Sequence, residues 1–223
     1  MDEKLTVEQP VYSTQLQSYV VQAQQEQGEI SAARKELLVQ ISELVAQELQ
    51  KNLDQHLVFI CTHNSRRSHF AHVWCQIAMS HFNIANVSTW SGGTEITHCN
   101  PRTVAALRRA GLAIDEQADS AIETENPIYK IRYTAARNSI ECSSKIYNQP
   151  PNPADSFIAL LCCSDVDERC PVIEGAAHRF SLHYKDPKCS DDTDQEQVVY
   201  DERCLQIASE MFLLGHYLAE QCD

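Results

Sequence analysis

The residues best suited to chemistry lie in one run, Cys61-Thr62-His63-Asn64-Ser65-Arg66-Arg67-Ser68. It follows Leu57-Val58-Phe59-Ile60, wholly apolar as expected of a strand buried on both faces. From Ser68 a helical pattern begins, with Phe70, Val73, Trp74, Ile77, Ala78 and Phe82 on one side. A loop between strand and helix aims its backbone N–H groups and the positive end of the helix dipole at one point, a cradle for a tetrahedral oxyanion. A cysteine at the mouth of such a loop is held as thiolate, the form that attacks. Arg67 can grip two anion oxygens with its planar fork. Ser68 can offer its hydroxyl to the thiolate or to the departing group. Thr62 to Ser68 thus form a candidate anion-binding loop with Cys61 as nucleophile. A chance Cys-x5-Arg is common, so the placement between strand and helix carries the reading.

Other elements must hold this loop in place. Val87 to Trp90, Phe157 to Leu161 and, more weakly, His178 to His183 read as further strands, alternating with helices. Pro101 opens one helix and Gly111 ends it, while Ile207, Met211, Leu214 and Leu218 mark a long final helix from about Gln195. This pattern predicts an α/β fold with a parallel sheet covered on both faces. Residues 1–52 differ. Leu16, Tyr19, Val20 and Ala23 lie at helical spacing before a stop at Gly28; Ser31 then caps a second helix with a stripe of Leu37, Leu38, Ile41, Leu44, Val45 and Leu49. We therefore divide the chain into an N-terminal helical extension, 1–52, and a catalytic domain, 53–223. The apolar stripes of the extension need a partner, either the main domain or a second copy in a homodimer. Residues 116–153 form an excursion, with candidate strands at Ile128 to Tyr133 and Ile140 to Tyr147.

Acidic residues outnumber basic ones 31 to 18, for a net charge of −13, which argues against nucleic acid and anionic membranes as partners. The polar start and the lack of any run near membrane-spanning length predict a cytoplasmic protein whose ten cysteines stay reduced.

The loop sequence resembles that of the low-molecular-weight protein tyrosine phosphatases and of the thioredoxin-coupled arsenate reductases that share their fold. Ser91-Gly92-Gly93-Thr94 is similar to the family's Ser-Ala-Gly-Thr, Asn100-Pro101 to its Asn-Pro, and Asp186-Pro187 to the Asp-Pro whose aspartate is the general acid. These landmarks occur in the family's order over about residues 57–220. The resemblance implies a three-layer αβα sandwich around a four-stranded parallel sheet, to which the helical extension is added. Cys163-Ser164-Asp165-Val166-Asp167-Glu168-Arg169-Cys170-Pro171 resembles the reductases' Cys-x6-Cys-Pro, which implies that Cys163 and Cys170 are a resolving pair. The implied cascade runs from Cys61 on arsenate to Cys163 and then to Cys170, and the final disulfide passes to thioredoxin. The alternative implied is a phosphatase acting on phosphotyrosine or small phosphoesters through a Cys61 phosphoenzyme. Neither needs a metal or organic cofactor. A zinc site from Cys163, Cys170, His178 and His183 would lack any C-x2-C pair.

Three departures matter. His63 stands where the family has glycine, so either a positive φ is expected there at some cost or its imidazole helps hold an anion or a partner. Arg66 adds charge near the mouth and is expected to draw in oxyanions. Lys188 and Cys189 stand where many tyrosine phosphatases carry aromatic residues, which disfavours phosphotyrosine. The reductases' potassium-holding glutamate corresponds to His72 here, so that ion is not carried over. Cys75, Cys99, Cys142, Cys204 and Cys222 read as small apolar side chains or surface thiols, and Cys162 as core. Cys189 lies just beyond Asp186 and stays open.

Overall fold

The computed structural model describes residues 10–117, 125–135, 139–169 and 172–222, and of Arg169 only the backbone. The chain opens with helices α1 (Thr14–Gln25) and α2 (Ala32–Leu49), then β1 (Gln55–Cys61), α3 (Arg67–His81), β2 (Val87–Gly93) and α4 (Pro101–Arg109). Three short strands follow: β3 (Ala113–Gln117), β4 (Ile128–Arg132) and β5 (Ile140–Cys142). The last elements are β6 (Phe157–Leu161), α5 (Ser164–Arg169), β7 (Ala176–Ser181) and α6 (Glu196–Cys222).

The apolar run around Val58 becomes the middle of the main sheet because it can be covered on both faces; only His56 of β1 is not fully buried. The order is β2-β1-β6-β7, all parallel, with Cys61 opposite Gly93 and Ile60 opposite Leu161. Strand order reverses between β1 and β6, so the chain leaves these two neighbours toward opposite faces. Such a reversal, at the carboxyl ends of the strands, is where α/β sheets place their chemistry. The loop after β1 carries Cys61 and the segment after β6 carries Cys163. The four-stranded parallel sheet between helices is the expected architecture.

Capping follows the residues that signalled it. The Ser31 hydroxyl accepts from Arg34 N (3.3 Å), and Asn100 Oδ1 accepts from Arg102 N (2.9 Å) with Pro101 at the first helical position. Gly111 adopts φ +100° after α4, and a Cβ there would come 2.6 Å from Leu16 N. Gly28 does not terminate α1 directly; it lies in a 3-10 turn, Glu26–Glu29, that follows it.

The stripes of α1 and α2 are covered within the chain. Leu16, Val20, Ala23, Leu38, Ile41 and Val45 are buried in the same core as α6, and the Tyr19 ring stacks on Trp74 at 5.1 Å. The partner these helices required is the body of their own chain, so no second copy is needed to bury them. Arg34 of α2 reaches the His183 carbonyl and lies 3.6 Å from the buried Glu210 carboxylate.

The excursion is a three-stranded antiparallel sheet, β3-β4-β5, with Ile114 opposite Ile131 and Tyr129 opposite Cys142. β3 had no sequence signal: among its five residues only Ile114 is buried, so it shows no alternation. β5 ends at Cys142, short of the Tyr147 expected, because residues 143–145 turn to brace the Cys61 loop. Among the described residues no helix is long and apolar enough to cross a membrane.

Candidate active site

Cys61 ends β1 and is buried, and the loop after it is held from outside at successive carbonyls. Thr62 O accepts from Thr94 N (3.0 Å) and Glu95 N (2.9 Å). His63 O accepts from the hydroxyls of Thr97 and Ser144 (both 2.9 Å), and Ser65 O from Asn100 N (2.9 Å). A loop that is to present N–H groups to an anion must turn its carbonyls elsewhere, and these three are engaged elsewhere. The Gly93-Thr94 and Asn100-Pro101 landmarks therefore have a local reason. A Cβ on Gly93 would meet Thr62 O at 2.7 Å and Asn64 N at 2.8 Å, so only glycine lets β2 approach this closely.

The left-handed residue of the loop is Asn64 (φ 44°), not His63. Asparagine tolerates that region better than most residues, so the histidine substitution carries no such cost. His63 is exposed, with Nε2 3.6 Å from Glu95. Asn64 is fully buried; its Oδ1 accepts from Lys145 N (3.1 Å) and its Nδ2 donates to Ser68 Oγ (2.9 Å). Ser68 Oγ lies 3.1 Å from Cys61 Sγ. That oxygen receives the Asn64 proton, which leaves its own proton free to point at the sulfur.

Arg67 begins α3. Its Nη2 donates to Asp186 Oδ2 (2.8 Å) and its Nη1 to the carbonyls of Tyr184 (3.1 Å) and Cys162 (3.4 Å), so the fork is fixed in orientation. Asp186 caps the 3-10 turn Pro187–Ser190, accepting from Lys188 N (3.1 Å). Arg66 differs from expectation. Its guanidinium is mostly buried and committed, Nε donating to Tyr200 Oη (2.7 Å) and Nη2 to Asp191 Oδ2 (3.0 Å), while Tyr200 Oη donates to Asp191 Oδ1 (2.8 Å). With its charge matched by a carboxylate, Arg66 is not a free cation at the mouth. It ties the Cys61 loop to the far end of the turn that Asp186 begins.

Cys163 is buried at the start of α5, with Sγ 3.7 Å from Thr62 Oγ1. Cys170 lies outside the described residues. α5 is fastened to β7 through Asp167, which accepts from Arg179 and Ser181 and lies 2.8 Å from His183 Nε2. Burial pushes the Asp167 carboxyl up, but its hydrogen bond from Ser181 and the Arg179 and His183 charges outweigh it, and the group sits below its ordinary range.

The remaining cysteines separate cleanly. Burial pushes the Cys142 and Cys204 thiols up to about 12 and raises Cys75, Cys99 and Cys162 as well, so all five stay protonated. The negative field of Cys61 adds to the rise at Cys162. Cys189 is exposed, with Sγ 3.5 Å from Asp186 O. No cluster of potential metal ligands occurs among the described residues.

Sequence reasoning missed the braces at Ser144 and Lys145 and the Asp191–Tyr200 pair behind Arg66. They reach the loop from 81 to 134 positions away, and no local spacing signals such contacts.

The fold and site together define an α/β protein with a cysteine-bearing loop at the carboxyl edge of a parallel sheet. No family model matches the chain. It is similar to the arsenate reductase of Bacillus licheniformis, 27% identical over 147 residues that cover 66% of this chain and 84% of that one. It is also similar to the arsenate reductase of Brevibacillus brevis, 28% identical over 131 residues, 59% of this chain and 75% of the other. A solved structure of a YwlE mutant from Bacillus subtilis aligns with a TM-score of 0.48 at 14% identity, covering 74% of this chain and 98% of that one. Over about two thirds of its length the chain is thus similar to arsenate reductases, which are enzymes, and its sheet and helices have the architecture of the low-molecular-weight phosphatases.

Proposed function

We propose that the protein is an arsenate reductase recycled by thioredoxin in a reducing cytoplasm. The observation that carries this reading is the second thiol, Cys163, buried against Thr62 one residue from the nucleophile. Cys61 thiolate attacks arsenic(V) held by the loop 62–68 and Arg67, forming an S–As bond, while Asp186 gives a proton to the departing oxygen. Cys163 thiolate then attacks Cys61 sulfur. An S–S bond forms, the S–As bond breaks, and its electron pair stays on arsenic, which leaves as arsenite. Two thiols are oxidised and one arsenic is reduced by two electrons. Cys170 attacks Cys163 sulfur to free the Cys61 thiolate, and a dithiol donor of the thioredoxin class reduces the 163–170 disulfide.

The second reading, hydrolysis of phosphotyrosine or a small phosphoester, is favoured by one feature. Cys61 with Ser68 and Arg67 with Asp186 form two paired contacts, and neither needs a distal cysteine to transfer a phosphoryl group. One variant separates the two. Cys163→Ser should lose thioredoxin-dependent arsenate reduction and keep aryl phosphate hydrolysis. A wild-type chain that hydrolyses the ester but reduces no arsenate with thioredoxin present would establish the phosphatase instead.

A further inference from the structure

A cavity of about 660 Å³ lies between α3, β2 and the small antiparallel sheet, and no residue of the Cys61 loop lines it. Its wall includes Lys145, a cation largely withdrawn from water; burial holds its ammonium below the ordinary lysine range. The ammonium donates to the Ser143 carbonyl (3.3 Å), and among the described residues no carboxylate lies within ion-pair distance. Glu141 on the rim is exposed and lies 3.6 Å from Lys130. The neighbouring thiols Cys99 and Cys142 are held protonated by burial and supply no countercharge. His72, almost fully buried, also lines the cavity, and its Nδ1 has no hydrogen-bond partner. A half-buried cation without a counter-ion and a buried ring nitrogen without a partner both cost free energy unless something completes them.

The rest of the lining specifies the ligand further. Trp90 and Tyr133 are half-buried in the wall beside Ile128, Ile140 and Pro151, so the space is aromatic and apolar around its polar end. A single lysine, with no arginine and no helix N-terminus, matches one negative charge better than a phosphate dianion. The volume falls in the range of small-molecule sites. We propose that this cavity binds a small aromatic carboxylate, its oxygens on Lys145 Nζ and His72 Nδ1 and its ring between Trp90 and Tyr133. The site is separate from the oxyanion loop and does not depend on which reaction Cys61 performs.

The test is calorimetric titration of the full chain with 1-naphthoate, in phosphate high enough to fill the Cys61 loop. Saturable one-to-one binding is expected, with 1-naphthalenemethanol, the uncharged analogue, at least about tenfold weaker. Lys145→Met should lose naphthoate affinity by a similar factor while its circular dichroism matches wild type. Ser139→Trp, which leaves Lys145 in place and fills the rim, should also abolish binding. That second variant keeps the test decisive if Lys145→Met does not fold. Absence of saturable binding to wild type, equal affinity for the uncharged analogue, or undiminished binding by Ser139→Trp would overturn the proposal.

Discussion

The two cysteine segments at the carboxyl end of the sheet are built in opposite ways. The loop after β1 is gripped by β2, by the segment before α4, by residues 144–145 and by α6 through Tyr200, and its central Asn64 is fully buried. The segment after β6 is a six-residue helix with Ser164, Asp165 and Glu168 exposed, Val166 as its buried contact and Asp167 as its polar anchor. The difference matches the work each would do. A nucleophile and its anion cradle gain from being fixed before substrate arrives, since reorganisation then adds nothing to the barrier. A resolving segment has to move. Residues seven apart on a helix are separated by about 10 Å along the axis, whereas disulfide Cα atoms lie about 4.4–6.8 Å apart. A helical stretch from Cys163 cannot bond to Cys170 without unwinding, and α5 is short enough to do so.

The fixed side breaks most easily at Asn64. Asn64→Ala removes the donor that orients Ser68, leaves Lys145 N without its acceptor and places alanine at a positive φ. Turnover on either substrate should fall about 100-fold, comparable to losing one oriented donor of an oxyanion site. Steady-state kinetics with an aryl phosphate measures it; a loss below threefold would mean the loop is held without this side chain.

Acid should also act first on the fixed side. Burial, reinforced by the Lys145 charge and opposed by a backbone contact to Asn64, lowers His69 from 6.5 to about 3, and His72 is lowered well below 6.5 for similar reasons. The unfolded chain binds these protons near pH 6.5 and the folded chain does not, so stability is complete above 6.5 and lost progressively as pH falls toward 3. Moving from pH 6.5 to 5 should cost about 2 kcal/mol for each histidine kept neutral. Urea unfolding at pH 7 and pH 5 tests this, and a flat profile would contradict it.

A smaller effect is expected where the loop is joined to the turn that carries Asp186, the proposed acid. Tyr200→Phe removes one corner of the ring formed by Arg66, Asp191 and Tyr200, while the direct Arg66–Asp191 pair remains. Loosening of the Asp186 turn should lower turnover about threefold to tenfold with a lesser change in KM. Substrates with a good leaving group, which need little help from an acid, should be least affected. Equal losses across leaving groups would place the effect elsewhere.

Much of this arrangement is local, and that is why it could be read from the residues. β1, the Cys61 loop and α3 form one contiguous strand–loop–helix, and Asn100-Pro101 and Gly111 punctuate α4 by their own backbone preferences. The braces are different in kind. Ser144 and Lys145 reach the loop across 81 residues, and their own neighbourhood, a three-residue strand and a turn, shows no periodicity. Arg66 belongs with them: charge counted along the chain does not reveal that Asp191 and Tyr200, far downstream, absorb it. The stripes on α1 and α2 announced a need for burial without naming the surface, and α6 meets it.

The smallest expected effect tests the α5 side. Asp167→Asn keeps the size of the side chain but removes the charge that holds Arg179 and His183 against α5. On the proposed reductase reading the anchor is released before 163 and 170 join, so weakening it should speed that step. Its contribution is limited, since partly exposed pairs are worth about 1 kcal/mol or less, which corresponds to a rate change of about fivefold at most. Hydrolysis of an aryl phosphate should be unchanged, because the step involves neither Cys61 attack nor Asp186. Single-turnover formation of the 163–170 disulfide, followed by alkylation of the remaining thiols, reads the rate. If Asp167→Asn slowed that step instead, the intact helix would be the form in which the thiols meet, and the contrast between a fixed nucleophile and a moving resolver would fail.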